Sequence, residues 1–587
     1  MKATKENMSN IATPWLKNYG DVPFNLDYPE GSMSDRVLEI AETYPKQTAL
    51  SFMGKDISYS KLREMIEVTA KAFIAIGVRA GDRVTVCLPN VPQAIYCLYA
   101  LNRIGAIASM IHPLSAEGEI VFYLNEVNSD CVITLNQFYD KFVEVQKERP
   151  IKKLIICGVV EELKPLMAVG FALTQGRSLP KIPNKPNIIR WPDFVARGRS
   201  ARLSDYAVKR KPEDPAVILF SGGTTGVTKG IVLSNLNFNA LAMQTAAMAH
   251  APVVGSKMLA AMPIFHGFGL GVCIHTMLAV GGQSILVPRF DVKSYAGLIK
   301  KNRPNYIAGV PTLYEALTRT DYLDGVVLDC LLGVFSGGDS LSIELKKKID
   351  KYLDEHGSPI HVREGYGTTE CVTASCLTPY NQEREGSIGL PYPDTYYKIC
   401  EPGTVEELPY GKEGEICLTG PTVMLEYLNH PVETAGTLVR HTDGHIWLHT
   451  GDLGLMDADG FIYFKQRLKR MIVTSGYNVY PSQLENIFDA HEFVQMSCVI
   501  GVPDPYKIQK TKAYVVLKAG VPANDETREA LFDYCRKNIA KYAIPYEIEF
   551  REALPKTLVG KVAYTVLEAE TAEKEKLADE EKAPATV

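Results

Sequence analysis

Two short stretches carry side chains suited to phosphate chemistry. Residues 221–230 read SGGTTGVTKG, with four glycines, three threonines, a serine and a lysine in ten residues. Glycines let the backbone turn tightly and bring its N–H groups against an anion. The hydroxyls of Ser221, Thr224 and Thr225 and the ammonium of Lys229 add donors and positive charge. An apolar run at 216–220 enters this loop and an apolar-periodic segment beginning near Asn235 leaves it, so the pattern is strand, Gly-rich loop, helix. A Walker A loop would place Gly directly before Lys and Ser or Thr after it. Here Thr228 precedes Lys229 and Gly230 follows, so the cradle is of another kind. The second stretch, 364–370, reads EGYGTTE. Tyr366 offers an aromatic face to a base, Thr368 and Thr369 offer hydroxyls to phosphate, and Glu370 offers a hard oxygen ligand for Mg²⁺ shared with phosphates. Taken singly, each stretch also reads as an ordinary surface turn.

The chain that must position these groups has 587 residues, enough for two or more domains. Hydrophobic residues make up 46% and charged residues 22%, the balance of a soluble globular protein. A net charge of −5 gives no basic footprint for nucleic acid. Twelve scattered cysteines without a C-x-x-C pair read as reduced core residues rather than a disulfide frame or zinc site. No apolar stretch follows Lys2, Lys5 and Glu6, so no secretory signal is expected and the cytoplasm is the default location. Residues 258–287 contain no Asp, Glu, Lys or Arg, but Pro263, His266, His275 and several glycines interrupt them. A buried strand, loop, helix and strand is expected there rather than a membrane span.

Helical spacing at 61–78, with Leu62, Ile66, Ala70 and Phe73 on one face, alternates with short apolar strands at 84–88, 131–134 and 154–157. That alternation predicts layered α/β structure with a mostly parallel sheet. Strand and turn patterns at 386–420 predict a smaller β-rich part. Residues 471–517 and a helix at 525–542 predict a final small α/β unit. The segment 166–173 is apolar and is followed by a basic, proline-rich run with Arg177, Lys181 and Lys185. It reads as a surface insertion with a packed apolar patch, or as a weak contact with a membrane surface at the inner face. Residues 568–587, rich in Glu, Lys and Ala, are expected to fray.

The loop at 221–230 resembles the phosphate loop of the adenylate-forming superfamily, which includes acyl-CoA synthetases, luciferases and peptide-synthetase adenylation domains. Its double glycine and GVTKG ending look most like bacterial long-chain fatty-acid–CoA ligases. YGTTE at 366–370, TGD at 450–452 and PKTLVGK at 555–561 follow in family order, and the resemblance spans nearly the whole chain. It implies an N-terminal adenylation domain over 1–466, a mobile C-terminal domain over 467–567 and a disordered tail over 568–587. It further implies ATP contacts from Ser221, Gly222, Gly223, Thr224, Thr225, Gly226, Lys229, Tyr366, Gly367, Thr368 and Thr369. Gly337, Gly338 and Asp339 resemble the adenine-binding loop, with more weight on backbone than on the Asp339 side chain. Asp452 matches the aspartate that accepts the ribose hydroxyls, Arg467 a ribose-contacting arginine, Lys469 the hinge and Glu370 the metal ligand. Lys561 matches the lysine that acts in adenylation. His266, Gly267 and Gly309 are implied at the acyl pocket, and Ser475, Gly476 and Tyr477 on the CoA-binding face.

The chain departs from the family pattern at Gly222, where Ser or Thr is frequent, at Asp339-Ser340, at Gln466 and at Arg470. The PIFHGFGL run at 263–270 lacks the Phe-Asp pair of amino-acid-activating relatives, which argues against an amino-acid substrate. Gly267, Gly269 and Gly271 serve either room for an acyl chain or close helix packing. The resemblance implies activation of a medium- or long-chain fatty acid by ATP, with Mg²⁺, through acyl-AMP to acyl-CoA. Aryl or bile acids, a carrier-protein acceptor, and a non-catalytic nucleotide-binding regulator are the competing readings. The regulator should have lost Lys561 or Glu370, and both are present.

Overall fold

The computed structural model describes residues 10–202, 206–220, 228–250, 254–474, 477–557 and 560–582. Two large sheets make the body of the molecule. One has eight strands, and Pro215–Phe220 sits within it between Ile107–Met110 and Gly230–Ser234. Its pairings are parallel except where Gly230–Ser234 meets Pro215–Phe220 on one side and Glu426–Tyr427 on the other. The other has nine strands, with Tyr306–Gly309, Gly333–Ser336 and Val362–Tyr366 side by side and parallel. Strands such as Cys131–Leu135 and Gln283–Leu286 are buried along their whole length, as expected of sheets covered on both faces by helices.

Local sequence explains the flanking helices. Tyr59–Ala75 starts where the Ser58 hydroxyl accepts from Lys61 N, and it buries Leu62, Ile66, Ala70 and Phe73. Asn235–Met248 follows Ser234, whose hydroxyl accepts from Asn237 N. Pro92, Pro311 and Pro481 open their helices at the first turn, where a missing N–H costs nothing. Over 258–287 the order is strand, loop, helix and strand, but Phe268–Thr276 is wound as a π-helix. The membrane-span reading has no counterpart: among the described residues no helix is long and apolar enough to cross a bilayer.

A third, antiparallel sheet holds Tyr396–Cys400, Gly414–Thr419, Leu438–Arg440, Ile446–Met456 and Ile462–Arg467. Trp15 from the N-terminal segment is fully buried in its core. The last sheet joins Ile472–Thr474, Tyr477–Val479, Val494–Asp504, Ile508–Leu517 and Glu547–Phe550, packed by the helices Pro481–Asp489 and Asp525–Asn538. The turn Leu468–Arg470 links this unit to the third sheet.

Two sequence expectations need correction. Residues 568–582 do not fray: they continue a helix, Tyr564–Lys582. Leu567 and Thr571, one turn apart, are buried on it. Leu567 packs with Cys498, Ile500, Tyr514 and Leu554, and Thr571 meets the Tyr514 hydroxyl at 2.5 Å. Two docked positions in one turn were too short a stripe to read as a core face. The apolar segment near 166–173 is a helix, Pro165–Leu173, but its patch is not packed. Only Ala168 and Phe171 lean on the main core, while Leu166, Met167, Val169 and Leu173 face outward.

The docking of the last helix is checked by Leu567→Ala. It should lower stability by about 2–4 kcal/mol, the usual cost of emptying a buried leucine site. In urea unfolding followed by fluorescence, a midpoint equal to wild type would refute the packing.

Candidate active site

The strands Gly333–Ser336 and Val362–Tyr366 end beside each other, and the candidate site is built at those ends. Gly337 follows the first strand, and a Cβ there would lie 2.9 Å from Gly365 O. Gly338 has φ +81°, a left-handed conformation that favours glycine. Tyr366 closes the second strand, and its hydroxyl donates to Asp452 Oδ2 at 2.8 Å. Asp452 comes from the third sheet, where it is the cross-strand partner of Arg467. Arg467 Nε lies 3.3 Å from Asp452 Oδ1. Asp452 is 2% exposed, yet its Oδ1 accepts no hydrogen bond. A buried carboxylate oxygen without a donor is suited to a ligand hydroxyl. Burial raises the Asp452 pKa above the ordinary carboxylate range, opposed chiefly by the Arg467 charge and then by the Tyr366 hydrogen bond.

Glu370 lies in the turn Thr369–Cys371. Its Oε1 accepts from the Tyr427 hydroxyl at 2.7 Å, and its carbonyl accepts from Met424 N at 2.7 Å. The Tyr427 ring also lies 5.2 Å below the Lys229 ammonium, so one tyrosine links the carboxylate to the lysine of the Gly-rich loop. The second carboxylate oxygen takes no hydrogen bond from the described residues, and hard oxygens so placed fit Mg²⁺ arriving with a nucleotide. Thr368 is buried with its hydroxyl toward Cys371 Sγ, at 3.9 Å, leaving Thr369 as the more open hydroxyl. Val372, next in the chain, holds φ +67°, an outlier for a β-branched residue. The helix-entry segment presses on it: a Cβ on Gly267 would sit 1.5 Å from Val372 O, and one on Gly269 2.1 Å from Pro263 O. Close packing therefore accounts for these glycines, and room for a ligand does not.

Lys561 reaches this place from the last unit. Gly560, at φ +89°, turns the loop so that its carbonyl accepts from the Thr312 hydroxyl at 2.9 Å. Asp339 Oδ2 accepts from Val562 N at 3.3 Å. The Lys561 Cε lies 3.6 Å from where a Cβ on Gly338 would be. Burial lowers the Lys561 pKa below that of a free lysine. Asp339 opposes the shift most, Arg467 reinforces it, and Asp452 and Glu370 oppose it further. The sequence reading gave the Asp339 side chain little weight, whereas the structure has it both dock the loop and balance the ammonium.

His266 shares the field of Lys561. Burial first, and that ammonium second, push its pKa down to about 3, so the ring is neutral near pH 7. Its Nδ1 accepts from Phe268 N at 3.2 Å, which leaves the proton on Nε2 and makes that nitrogen a donor. A small pocket is lined by Thr245, Phe268, Val272, Phe335, Thr373 and Tyr392 together with Gly337 and Gly338. His266, Gly267 and Gly309 are not in that lining. Gly309 instead packs against Leu313, which a Cβ would approach to 2.9 Å, and its carbonyl accepts from Gly337 N.

The structure thus gathers Gly337, Gly338, Asp339, Tyr366, Glu370, Asp452, Arg467, Lys561 and His266, with Lys229 linked through Tyr427. Lys469 stands apart in the turn Leu468–Arg470 between the two sheets. Ser221, Gly222, Gly223, Thr224, Thr225, Gly226, Ser475, Gly476 and the Tyr477 side chain lie outside the described residues. Sequence reasoning missed Tyr427 and the cavity aromatics. Nothing in LEYLNHP marks a tyrosine that folds back onto Glu370.

A cleft at converging strand ends, entered by a buried lysine from a second α/β unit, fits an adenylate-forming type of enzyme. Residues 37–428 match the AMP-binding enzyme family and residues 483–561 match the AMP-binding enzyme C-terminal domain, and the chain belongs to that family. Among curated relatives, the long-chain-fatty-acid–CoA ligase of Bacillus subtilis is 34% identical over 95% of this chain and 98% of its own. That of Escherichia coli O6:H1 is 30% identical over 93% and 96%. In fold, the chain resembles ATP-bound MatB from Rhodopseudomonas palustris, with TM-score 0.79, 24% identity, and 92% and 99% of the two chains covered. It likewise resembles the anthranilate CoA ligase AuaEII in complex with anthranoyl-AMP, with TM-score 0.80, 22% identity, and 95% and 99% covered.

The electrostatics around Lys561 are checked by Asp339→Asn. Removing an anion that favours the ammonium lowers the lysine pKa further. Adenylation, if it needs the charged form, then fails at lower pH. The alkaline limb of pyrophosphate release should move to lower pH in the variant, and a limb that stays put or moves upward would contradict the geometry.

Proposed function

We propose that the chain activates a medium- or long-chain fatty acid with ATP, forming acyl-AMP and pyrophosphate, and then transfers the acyl group to CoA with release of AMP. The observation that carries the reading is the Lys561 ammonium, brought by a separate unit to within reach of Gly338, Asp339, Asp452 and Glu370. The names of its curated relatives support the fatty-acid part. A cytoplasmic location, where ATP and CoA are available, is part of this proposal.

The first step brings a carboxylate against the α-phosphate of ATP. Like charges about 4 Å apart repel by roughly 4 kcal/mol at an effective dielectric near 20. In this proposal Lys561 bridges them, donating to both anions while one carboxylate oxygen bonds to phosphorus and the bond to pyrophosphate breaks. Tyr366 and the backbone at Gly337 and Gly338 hold the base, and Asp452 Oδ1, ion-paired with Arg467 but accepting no hydrogen bond, takes a ribose hydroxyl. Lys229 and the loop 221–226 hold phosphate, Glu370 would hold Mg²⁺, and that ion would offset charge on the leaving pyrophosphate. His266, with its proton on Nε2, donates to the acid. Most of the remaining barrier reduction comes from fixed positions.

The second step needs a thiol near the same carbonyl, so Lys561 must leave. We assign the parts before and after the turn Leu468–Arg470 as the two moving units and Lys469 as the hinge, which leaves Arg467 with the third sheet rather than in a part beginning at 467. Rotation there would present Ser475, Gly476 and Tyr477 to the pantetheine of CoA. The CoA thiol gives up its proton to solvent, its sulfur bonds to the acyl carbon, and the bond from that carbon to the phosphate oxygen breaks so that AMP departs with the oxygen.

Lys561→Ala should reduce acyl-AMP formation by about 10³-fold, comparable with loss of a preorganised charge in other active sites, while ATP binding persists. Pyrophosphate release across fatty, aryl and bile acids, with and without CoA, reads both role and substrate. Release by the mutant at the wild-type rate would refute the lysine's role, and preference for an aryl or bile acid would replace the fatty-acid assignment. Lys469→Pro should spare adenylation and block thioester formation, and equal loss of both would count against the hinge.

A further inference from the structure

Outside the active site, the helix Pro165–Leu173 is the clearest unsatisfied surface. None of its residues is buried. Ala168 and Phe171, three positions apart, rest on the main core and fix which face turns inward. The opposite face presents Leu166 at 85% exposure, Val169 at 57% and Leu173 at 57%, with Met167 at 41% beside them. Spacings of three and four place Leu166, Val169 and Leu173 in one outward stripe. Isolated exposed leucines are ordinary, but a continuous apolar stripe on one short helix is not.

Charge around the stripe has one sign. From Leu163 to Pro192 the chain contains Lys164, Arg177, Lys181, Lys185 and Arg190 and no Asp or Glu. All of these cations are exposed, and none forms an ion pair among the described residues. The short turn Gln175–Ser178 carries Arg177 immediately after the helix, and the extended run to Ile188–Arg190 carries the other lysines. Apolar side chains flanked by unopposed cations match a surface with an apolar interior and anionic head groups. A second copy of this chain is a poor occupant, since a symmetric contact would set these cations against themselves.

We propose that this helix and the basic run behind it dock the protein on the anionic face of a lipid bilayer, with Leu166, Met167, Val169 and Leu173 entering the acyl boundary and the cations on the head groups. The proposal stands on this surface alone and does not depend on which acid the enzyme activates.

The full chain is floated with vesicles of phosphatidylcholine alone and of phosphatidylcholine with phosphatidylglycerol. Wild type is expected to float with the anionic vesicles, less at high salt, and to stay behind with the neutral ones. Two variants are compared: Leu166→Glu, Val169→Glu and Leu173→Glu together, and Arg177→Glu, Lys181→Glu and Lys185→Glu together. Each should lower vesicle partition about tenfold or more. All substituted residues are outside the active site, so pyrophosphate release with a short soluble acid should be unchanged and reports intact folding. Wild type that never floats, variants that float equally, or equal binding to neutral vesicles would each overturn the proposal. So would a dimer in sedimentation velocity that the glutamate variants at the apolar stripe dissolve, because it would assign the stripe to a second copy. Loss of ligase activity in every form, with flotation intact, would count against the function proposed above and leave the docking surface standing.

Discussion

The constraint on which the site depends is the placing of an ammonium in a poorly solvated cleft from a separate unit, one that the proposed two-step chemistry would require to leave. Taking Lys561 out of water disfavours its charge, and the Arg467 guanidinium disfavours it further. Asp339, Asp452 and Glu370 offset this, each held by something else. Asp339 is engaged with Val562 N, Asp452 with Tyr366 and Arg467, and Glu370 with Tyr427. Asp452 and Glu370 are held by residues that would stay behind if the lysine withdrew, whereas Asp339 would lose its Val562 partner with it. The cleft would keep these two carboxylates in place while the cation came and went.

Each holder comes from a different layer. Tyr366 ends a strand of the nine-stranded sheet, Asp452 and Arg467 pair across the third sheet, and Tyr427 pairs with the strand that follows the Gly-rich loop. Hydrogen bonds among them fasten the layers where their strand ends converge. The close contact at Gly267 and the positive φ of Val372 belong to the same junction. With the chain pressed this tightly around 369–372, Glu370 has little freedom to move, and the strain is located beside a charged group rather than in the sheets.

Much of this was legible in sequence and some was not. Glycines, threonines and single charged residues in short runs announce a phosphate site, and periodicity announces the α/β layers, because both signals are local. Tyr427 was illegible because its role depends on a fold-back onto Glu370 that no spacing encodes. Asp339 looked like a departure from small residues, and its use becomes visible only when Val562 lies opposite. The glycines at 267 and 269 were open to two readings since sequence gives small size without saying whether backbone or ligand fills the space. The last helix was read as solvated because Leu567 and Thr571 are a narrow apolar signal among many charges, although they meet Tyr514 and its neighbours. Helix 165–173 was read as packed because apolar residues usually are, and here the outward half is left bare.

The packing is compatible with the domain motion proposed above. Its apolar clusters, one around Phe488, Val499 and Leu531 and the other around Tyr514, Leu554 and Leu567, draw every buried member from residues after 471. The clusters of the two large sheets and of the third sheet draw theirs from residues before 464. Among the described residues, hydrogen bonds across the seam include Thr312 to the Gly560 carbonyl, Asp339 to Val562 N, Gln495 to Glu315 and Ser482 to the Lys465 carbonyl. Water can replace such contacts at small net cost, since each intramolecular hydrogen bond contributes only about 1 kcal/mol after exchange with solvent. Under the proposed two-step chemistry, separation would leave these apolar clusters whole, and the turn Leu468–Arg470 is the short connection about which it would occur. A seam built from apolar side chains would have fixed Lys561 in place, and a fixed lysine would serve the adenylating half of the chemistry while obstructing the thiol in the other.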